Sequence, residues 1–193
     1  MNGIKVCLTV GSGNKWLTLP ASPEEARSAL RAIGADGTEF SISDCDAGFG
    51  GKLDSMVIGA GLDMANYLAA LLAGLSTENT ELLEAMLESP LQPEVLRGIE
   101  QVIDFSGNTG CYEVYNGVKG PTDLARYYIN ESGFIQMPTE WAEGIDMERF
   151  GKNLEKHEPG FYAKHGYLIA TGLDWTPFFE KSGEVPAEYR IAP

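Results

Sequence analysis

The apolar residues of this chain change their repeat twice, and that change limits the folds open to it. Near the start, Ile4, Val6, Leu8 and Val10 alternate with Lys5, Cys7 and Thr9, the period of a half-buried strand. Residues 16–19 supply a hairpin partner across Gly11, Ser12, Gly13 and Asn14. A punctuated helix follows: Ser22 caps it, Pro23 suits its first position, Glu25 completes a capping box, Ala26, Leu30 and Ile33 share a face, and Gly34 ends it. Residues 38–43 return as a strand with Phe40 and Ile42 inward, and a glycine-rich loop over 48–61 closes the block.

From 62 to 104 the repeat lengthens to 3.6 residues and no strand signal remains. Three helical segments are expected, broken at 74–77 and 90–93. The last third mixes both periods: a strand at 111–115, a turn at Asn116 and Gly117, a helix over 122–131 stopped by Gly133, and a hairpin around Lys164, His165 and Gly166. The expectation is an α+β chain of three small domains: an α+β domain over 1–61, an acidic helical domain over 62–107, and an α+β domain with an extra tail over 108–193.

Charge narrows the function. The chain has 193 residues, 44% of them hydrophobic, so it can bury a core. Twenty-eight acidic residues against 14 basic give a formal net charge of -14. A DNA binder needs Lys and Arg to displace counterions from phosphates, so direct nucleic-acid binding is excluded and the natural partner is basic. Three cysteines, Cys7, Cys45 and Cys111, form no Cys-x-x-Cys pair and point to a reducing cytoplasm. The first ten residues lack the apolar core of a signal peptide, and the longest apolar run, around 67–75, is too short to span a bilayer.

The acidity is placed rather than spread. Between residues 53 and 96 stand seven acids, Asp54, Asp63, Glu78, Glu81, Glu84, Glu88 and Glu94, with no Lys or Arg, whereas the first 38 residues are near neutral. At about 100° per residue, Glu78, Glu81, Glu84 and Glu88 fall on one helix face opposite Leu82, Leu83, Met86 and Leu87. Glu94, Glu100 and Asp104 share the next face, interrupted by Arg97 and Gln101. Carboxylates three or four residues apart rise roughly 4.5–6 Å, against roughly 3.4 Å per phosphate on one DNA strand. Like charges so spaced cost a helix a few tenths of a kcal/mol each, a cost that a merely structural helix avoids by mixing in Lys. The plainer reading of the same pattern is a solvated acidic face.

No motif for chemistry survives inspection. Asp44, Asp46 and Gly48 begin like a calcium loop, but Gly48 replaces a ligand, Phe49 the turn glycine and Ser55 the bidentate Glu, so no metal is expected. Gly11 to Lys15 lacks the ending of a phosphate loop. His165 falls in a turn and His157 between Lys156 and Glu158, so both read as solvated, and neither supports a Cys-His pair with Cys7, Cys45 or Cys111. Carboxylates abound too generally to argue a glycosidase pair. The chain reads as a binding protein with no catalytic site and no cofactor.

The run TDLARYYINESG over 122–133, followed by IDMERFGKNL over 145–154, resembles the ArdA antirestriction family. The resemblance rests on Asp123, Ala125, Arg126, Tyr127, Tyr128, Glu131 and Gly133, then on Asp146, Phe150, Gly151, Lys152 and Leu154, and on GFYAKHGYLI over 160–169. WLTLP and EFSISDCD near the start are similar to the family's first domain, and the tail over 171–193 runs past the family's usual end. What the resemblance implies is an elongated three-domain α+β homodimer, carried by mobile genetic elements. Its acidic surface would imitate bent B-form DNA and occupy the groove of Type I restriction-modification enzymes at their methyltransferase core. On the charge pattern alone, an acidic adaptor for another basic protein remains the alternative.

Overall fold

Ser22 and Glu25 set the first helix by reciprocal hydrogen bonds. In the computed structural model, which describes residues 3–35, 39–90 and 92–192, the side chains of 92, 93 and 139 apart, Ser22 Oγ accepts the Glu25 N–H at 3.2 Å while a Glu25 carboxylate oxygen accepts the Ser22 N–H at 2.8 Å. Helix α1 therefore starts at Pro23 and runs Pro23–Ala32, burying Ala26, Ala29 and Leu30. Strands β1 (Ile4–Val10) and β2 (Gly13–Leu19) form the expected antiparallel hairpin, turning through Gly11 at φ 56°.

The third strand is displaced from its expected place. It occupies Ser41–Asp46 as β3, on the other edge of β1, giving the order β2-β1-β3. Thr38 lies outside the described residues, and Phe40 precedes the strand, half-buried. Leu8 pairs with Ile42 and Cys7 with Asp44, so a bulge at Ser43 shifts the alternation and turns both Ile42 and Cys45 into the core. The glycine-rich loop expected over 48–61 contains a helix, α2 (Lys52–Ile58), which buries Leu53 and Val57 four residues apart. Its bracketing glycines hid a period only two apolar positions long.

The helical middle comprises α3 (Leu62–Ala73), α4 (Thr77–Glu88), α5 (Gln92–Val95) and α6 (Ile99–Phe105). The segment expected to run unbroken from Glu94 to Asp104 is thus two helices, parted at an extended Gly98. Among the described residues no helix is long and apolar enough to cross a membrane.

The chain groups into two compact units. The first holds Met1–Thr80, Pro93–Asn108 and Thr176–Pro193, and the second Glu81–Gln92 and Thr109–Trp175. In the first unit α3 packs on β2 and α6, and α2 on β3. The tail, expected as an appendage of the C-terminal domain, belongs to this unit. Its short helix α10 (Phe179–Ser182) packs on α6, burying Phe179, and Ile191 is buried further on. Tyr67 of α3 lies between the rings of Phe179 and Tyr189, 5.6 and 4.9 Å away.

The second unit is built on a sheet of order β4-β6-β5, with β4 (Tyr112–Asn116), β5 (Phe161–Tyr162) and β6 (Gly166–Ala170) all antiparallel. Helix α7 (Pro121–Arg126) continues as a π-helical turn, Tyr127–Glu131, and the chain leaves it through Gly133 at φ 71°. After α8 (Thr139–Ala142), α9 (Met147–His157) packs along α7.

Candidate interaction surface

The nine carboxylates singled out by the charge pattern meet different fates. Asp104 is fully buried, so it cannot face a partner. Its Oδ1 accepts the backbone N–H groups of Phe178 and Phe179 at 2.9 and 2.6 Å, and its Oδ2 that of Glu180 at 3.3 Å. It caps α10, and the helical face that carries it is covered by the tail; Gln101 on the same side is buried as well. With Glu94 and Glu100 on separate helices, the second stripe does not form. Glu94 is exposed and Glu100 half-buried.

Asp54 and Asp63 also hold backbone. Asp54 Oδ1 accepts the Ala47 N–H at 2.9 Å, closing the turn between β3 and α2, and Asp63 Oδ1 accepts the N–H groups of Ile191 and Ala192, both at 2.6 Å. Both side chains keep partial exposure.

The four glutamates of α4 do share a helix, with Leu82, Leu83, Met86 and Leu87 buried opposite them. Glu78 and Glu88 are exposed. Three of the four meet the β5–β6 hairpin of the second unit. Glu84 Oε2 lies 2.8 Å from His165 Nε2 and 3.5 Å from Lys164 Nζ, Glu81 Oε1 lies 3.7 Å from His165 Nδ1, and Glu88 Oε2 accepts the Lys164 N–H at 3.1 Å. His165 is therefore not the solvated turn residue expected: its side chain is 24% exposed, hydrogen-bonded to Glu84 and close to Glu81. His157 is exposed. Sequence reasoning missed this pairing because the partners lie 81 residues apart.

The motif residues of the C-terminal third divide between the second unit's interior and its surface. Ala125 is buried, Tyr127 stacks on Tyr115 with centroids 4.2 Å apart, and Tyr128 meets Tyr115 edge-on at 6.0 Å. Asp123 accepts the Lys119 N–H at 3.2 Å and lies 3.7 Å from Arg126, while Lys119 Nζ donates to the Lys164 carbonyl. Asp146 caps α9 by accepting the Arg149 N–H at 3.0 Å. Gly151 permits the α7–α9 approach: a Cβ there would stand 1.8 Å from the Pro121 carbonyl oxygen. Phe150 is half-buried and Glu131 exposed. Ala125, Tyr127, Tyr128 and Gly151 thus serve packing and Asp146 capping, while Glu131 faces solvent.

The chemistry offered is weak. Burial first, then the charges of Asp54, Asp46 and Asp44, push the Cys45 thiol up to about 12, the reverse of an activated nucleophile. Among the described residues no three His, Cys, Asp or Glu side chains are grouped to hold a metal. The first unit has a cleft of about 510 Å³ lined by Met56, Met64, Arg97 and Glu100, and the second one of about 460 Å³ beside Tyr115, His157 and Glu158.

No curated protein matches the chain. A family model described as antirestriction protein (ArdA) matches residues 12–169, from the first hairpin to β6, and leaves out the tail that caps the first unit. The chain therefore belongs to the ArdA family of antirestriction proteins.

Proposed function

We propose that this protein inhibits Type I restriction-modification enzymes by occupying, as a DNA mimic, the groove of their methyltransferase core, without catalysing a reaction. The observation that carries the reading is the placement of charge: no cation between residues 53 and 96, with Glu78, Glu88 and Glu94 exposed and Glu81 and Glu84 partly so. A groove built for a polyanion gains from each carboxylate that replaces a phosphate. Asp54 and Asp63 contribute only their exposed edges, and Asp104 contributes nothing. The family membership supports the same reading.

A second element of the proposal is a homodimer, its contact away from α4, because a two-fold pair doubles the length of duplex imitated. Light scattering at micromolar concentration gives twice the chain mass; a strict monomer refutes this element alone.

The deciding experiment is competition for the methyltransferase core. The protein displaces specific DNA from it at stoichiometric concentration and blocks cleavage of unmodified DNA. An acidic adaptor for another basic protein leaves the enzyme–DNA complex intact, and that outcome overturns the proposal.

A further inference from the structure

Phe134 and Trp141 are the most exposed large hydrophobic residues of the described chain, at 72% and 70%. Both lie in the second unit, in the passage between the π-helical turn and α9. Phe134 is not loose: its ring stacks on the buried Tyr128 with centroids 5.8 Å apart, and its N–H donates to Ser132 Oγ at 3.2 Å. One face of that ring is thus fixed against the core and the other is presented to solvent. Trp141 stands on α8, whose turn is closed by its N–H to the Pro138 carbonyl at 3.0 Å.

Exposed aromatic rings are the side chains in which protein interfaces are enriched. Charge decides which partner suits them. Between Arg126 and Arg149, the first of which pairs with Asp123, there are five carboxylates, Glu131, Glu140, Glu143, Asp146 and Glu148, and no further Lys or Arg. Asp146 caps α9 and Glu148 pairs with Lys152 at 2.5 Å, which leaves Glu131, Glu140 and Glu143 exposed in the same segment as the two rings. A two-fold contact with a second copy would set these acids against their own kind. An arginine-bearing surface suits both features, because a guanidinium stacks on an aromatic face and pairs with a carboxylate at its edge.

We infer that the segment carrying Phe134 and Trp141 is a second contact surface, which takes arginine side chains of the basic enzyme that the protein inhibits. The inference rests on the proposed function for the partner, but not for the chemistry. DNA offers no counterpart to these rings, so this surface adds affinity by a protein-specific contact rather than by mimicry. It also lies outside the acidic helices, so its loss is separable from theirs.

The test replaces both rings by leucine, Phe134→Leu with Trp141→Leu, in the full chain. Leucine keeps apolar bulk but has no π face. The expected result is inhibition weakened on the order of tenfold, with unchanged circular dichroism and unchanged mass by light scattering. A further change of Glu140→Gln with Glu143→Gln weakens it a few-fold more. Inhibition equal to the parent overturns the inference, and so does a change of oligomeric mass, which would make the surface a self-contact. If the parent itself fails to inhibit, the proposed function falls and the surface is judged by hexa-arginine binding. The parent must then bind that peptide more tightly than the leucine variant does, and more tightly than it binds hexa-lysine; equal binding overturns the inference.

Discussion

Asp104 Oδ1 accepts the N–H of Phe179 at 2.6 Å across 75 residues of sequence, and by that bond a carboxylate of the acidic region becomes the cap of the tail's helix. Removing it takes the acceptor from three backbone donors, that of Phe179 buried and those of Phe178 and Glu180 part-buried, at about 1–3 kcal/mol for a buried group left unsatisfied. Asp104→Ala is expected to lower stability by about 2–4 kcal/mol in a urea titration, since the loosened tail recovers part of the loss to water. The folded variant should inhibit as the parent does. Weaker inhibition with unchanged stability would restore Asp104 to the binding surface.

The Glu84–His165 contact predicts the same division of effects on a smaller scale. Both side chains are about a quarter exposed, so solvent screening limits the bond to about 0.5–1 kcal/mol. His165→Ala should reduce stability by that amount while leaving inhibition equal or improved, because Glu81 and Glu84 are released from a competing partner. A folded His165→Ala variant that no longer inhibits would show that the histidine itself contacts the enzyme.

How much of this could be read beforehand follows the range of each interaction. The capping box at Ser22 and Glu25, the turn at Gly117 and the stop at Gly133 were legible because each needs residues at most four positions apart. The face of α4 was legible from period alone. The fate of its carboxylates was not, since His165 reaches Glu84 only through the fold. Asp104 misled for a related reason: helical period shows which residues share a face, but what covers that face is decided elsewhere, here by Phe178, Phe179 and Glu180. The bulge at Ser43 and the short α2 escaped because two buried positions are too few to define a repeat.

The thiol of Cys45 gives a prediction in pH. Its value rises from an ordinary 9.0 to about 12, through desolvation first and then through Asp54, Asp46 and Asp44. The thiolate is the reactive form, so at pH 8 alkylation of Cys45 should run on the order of a thousandfold slower than in the unfolded chain. The rate should climb about tenfold per pH unit until pH approaches 12. Because the folded chain keeps this proton where the unfolded chain releases it, the group's stabilising contribution is complete below pH 9 and is lost as pH rises from 9 towards 12. Peptide-resolved iodoacetamide labelling between pH 8 and 10 measures the first effect. Native labelling as fast as in urea would refute it.

The distribution of binding energy over Glu78, Glu81, Glu84, Glu88 and Glu94 separates mimicry from an ordinary interface. A mimic meets many cations with many carboxylates, and a partly exposed ion pair contributes roughly 0.2–1 kcal/mol. Each single Glu→Gln change should therefore weaken inhibition only a few-fold. Glu78→Gln and Glu88→Gln should cost at least as much as Glu84→Gln, because Glu78 and Glu88 are the exposed members of the helix while Glu84 is already held by His165 and Lys164. The quadruple change at 78, 81, 84 and 88 should sum to a large loss if the sites act independently. Added salt must weaken inhibition too, but less steeply than it weakens DNA binding, since spaced carboxylates do not condense counterions as a duplex does. An interface dominated by hot spots would instead concentrate the loss in one or two residues and show little dependence on salt. The measurement is inhibition titrated across single and quadruple variants confirmed folded by circular dichroism. A quadruple variant as potent as the parent would mean that the carboxylates of α4 do not stand in for phosphates.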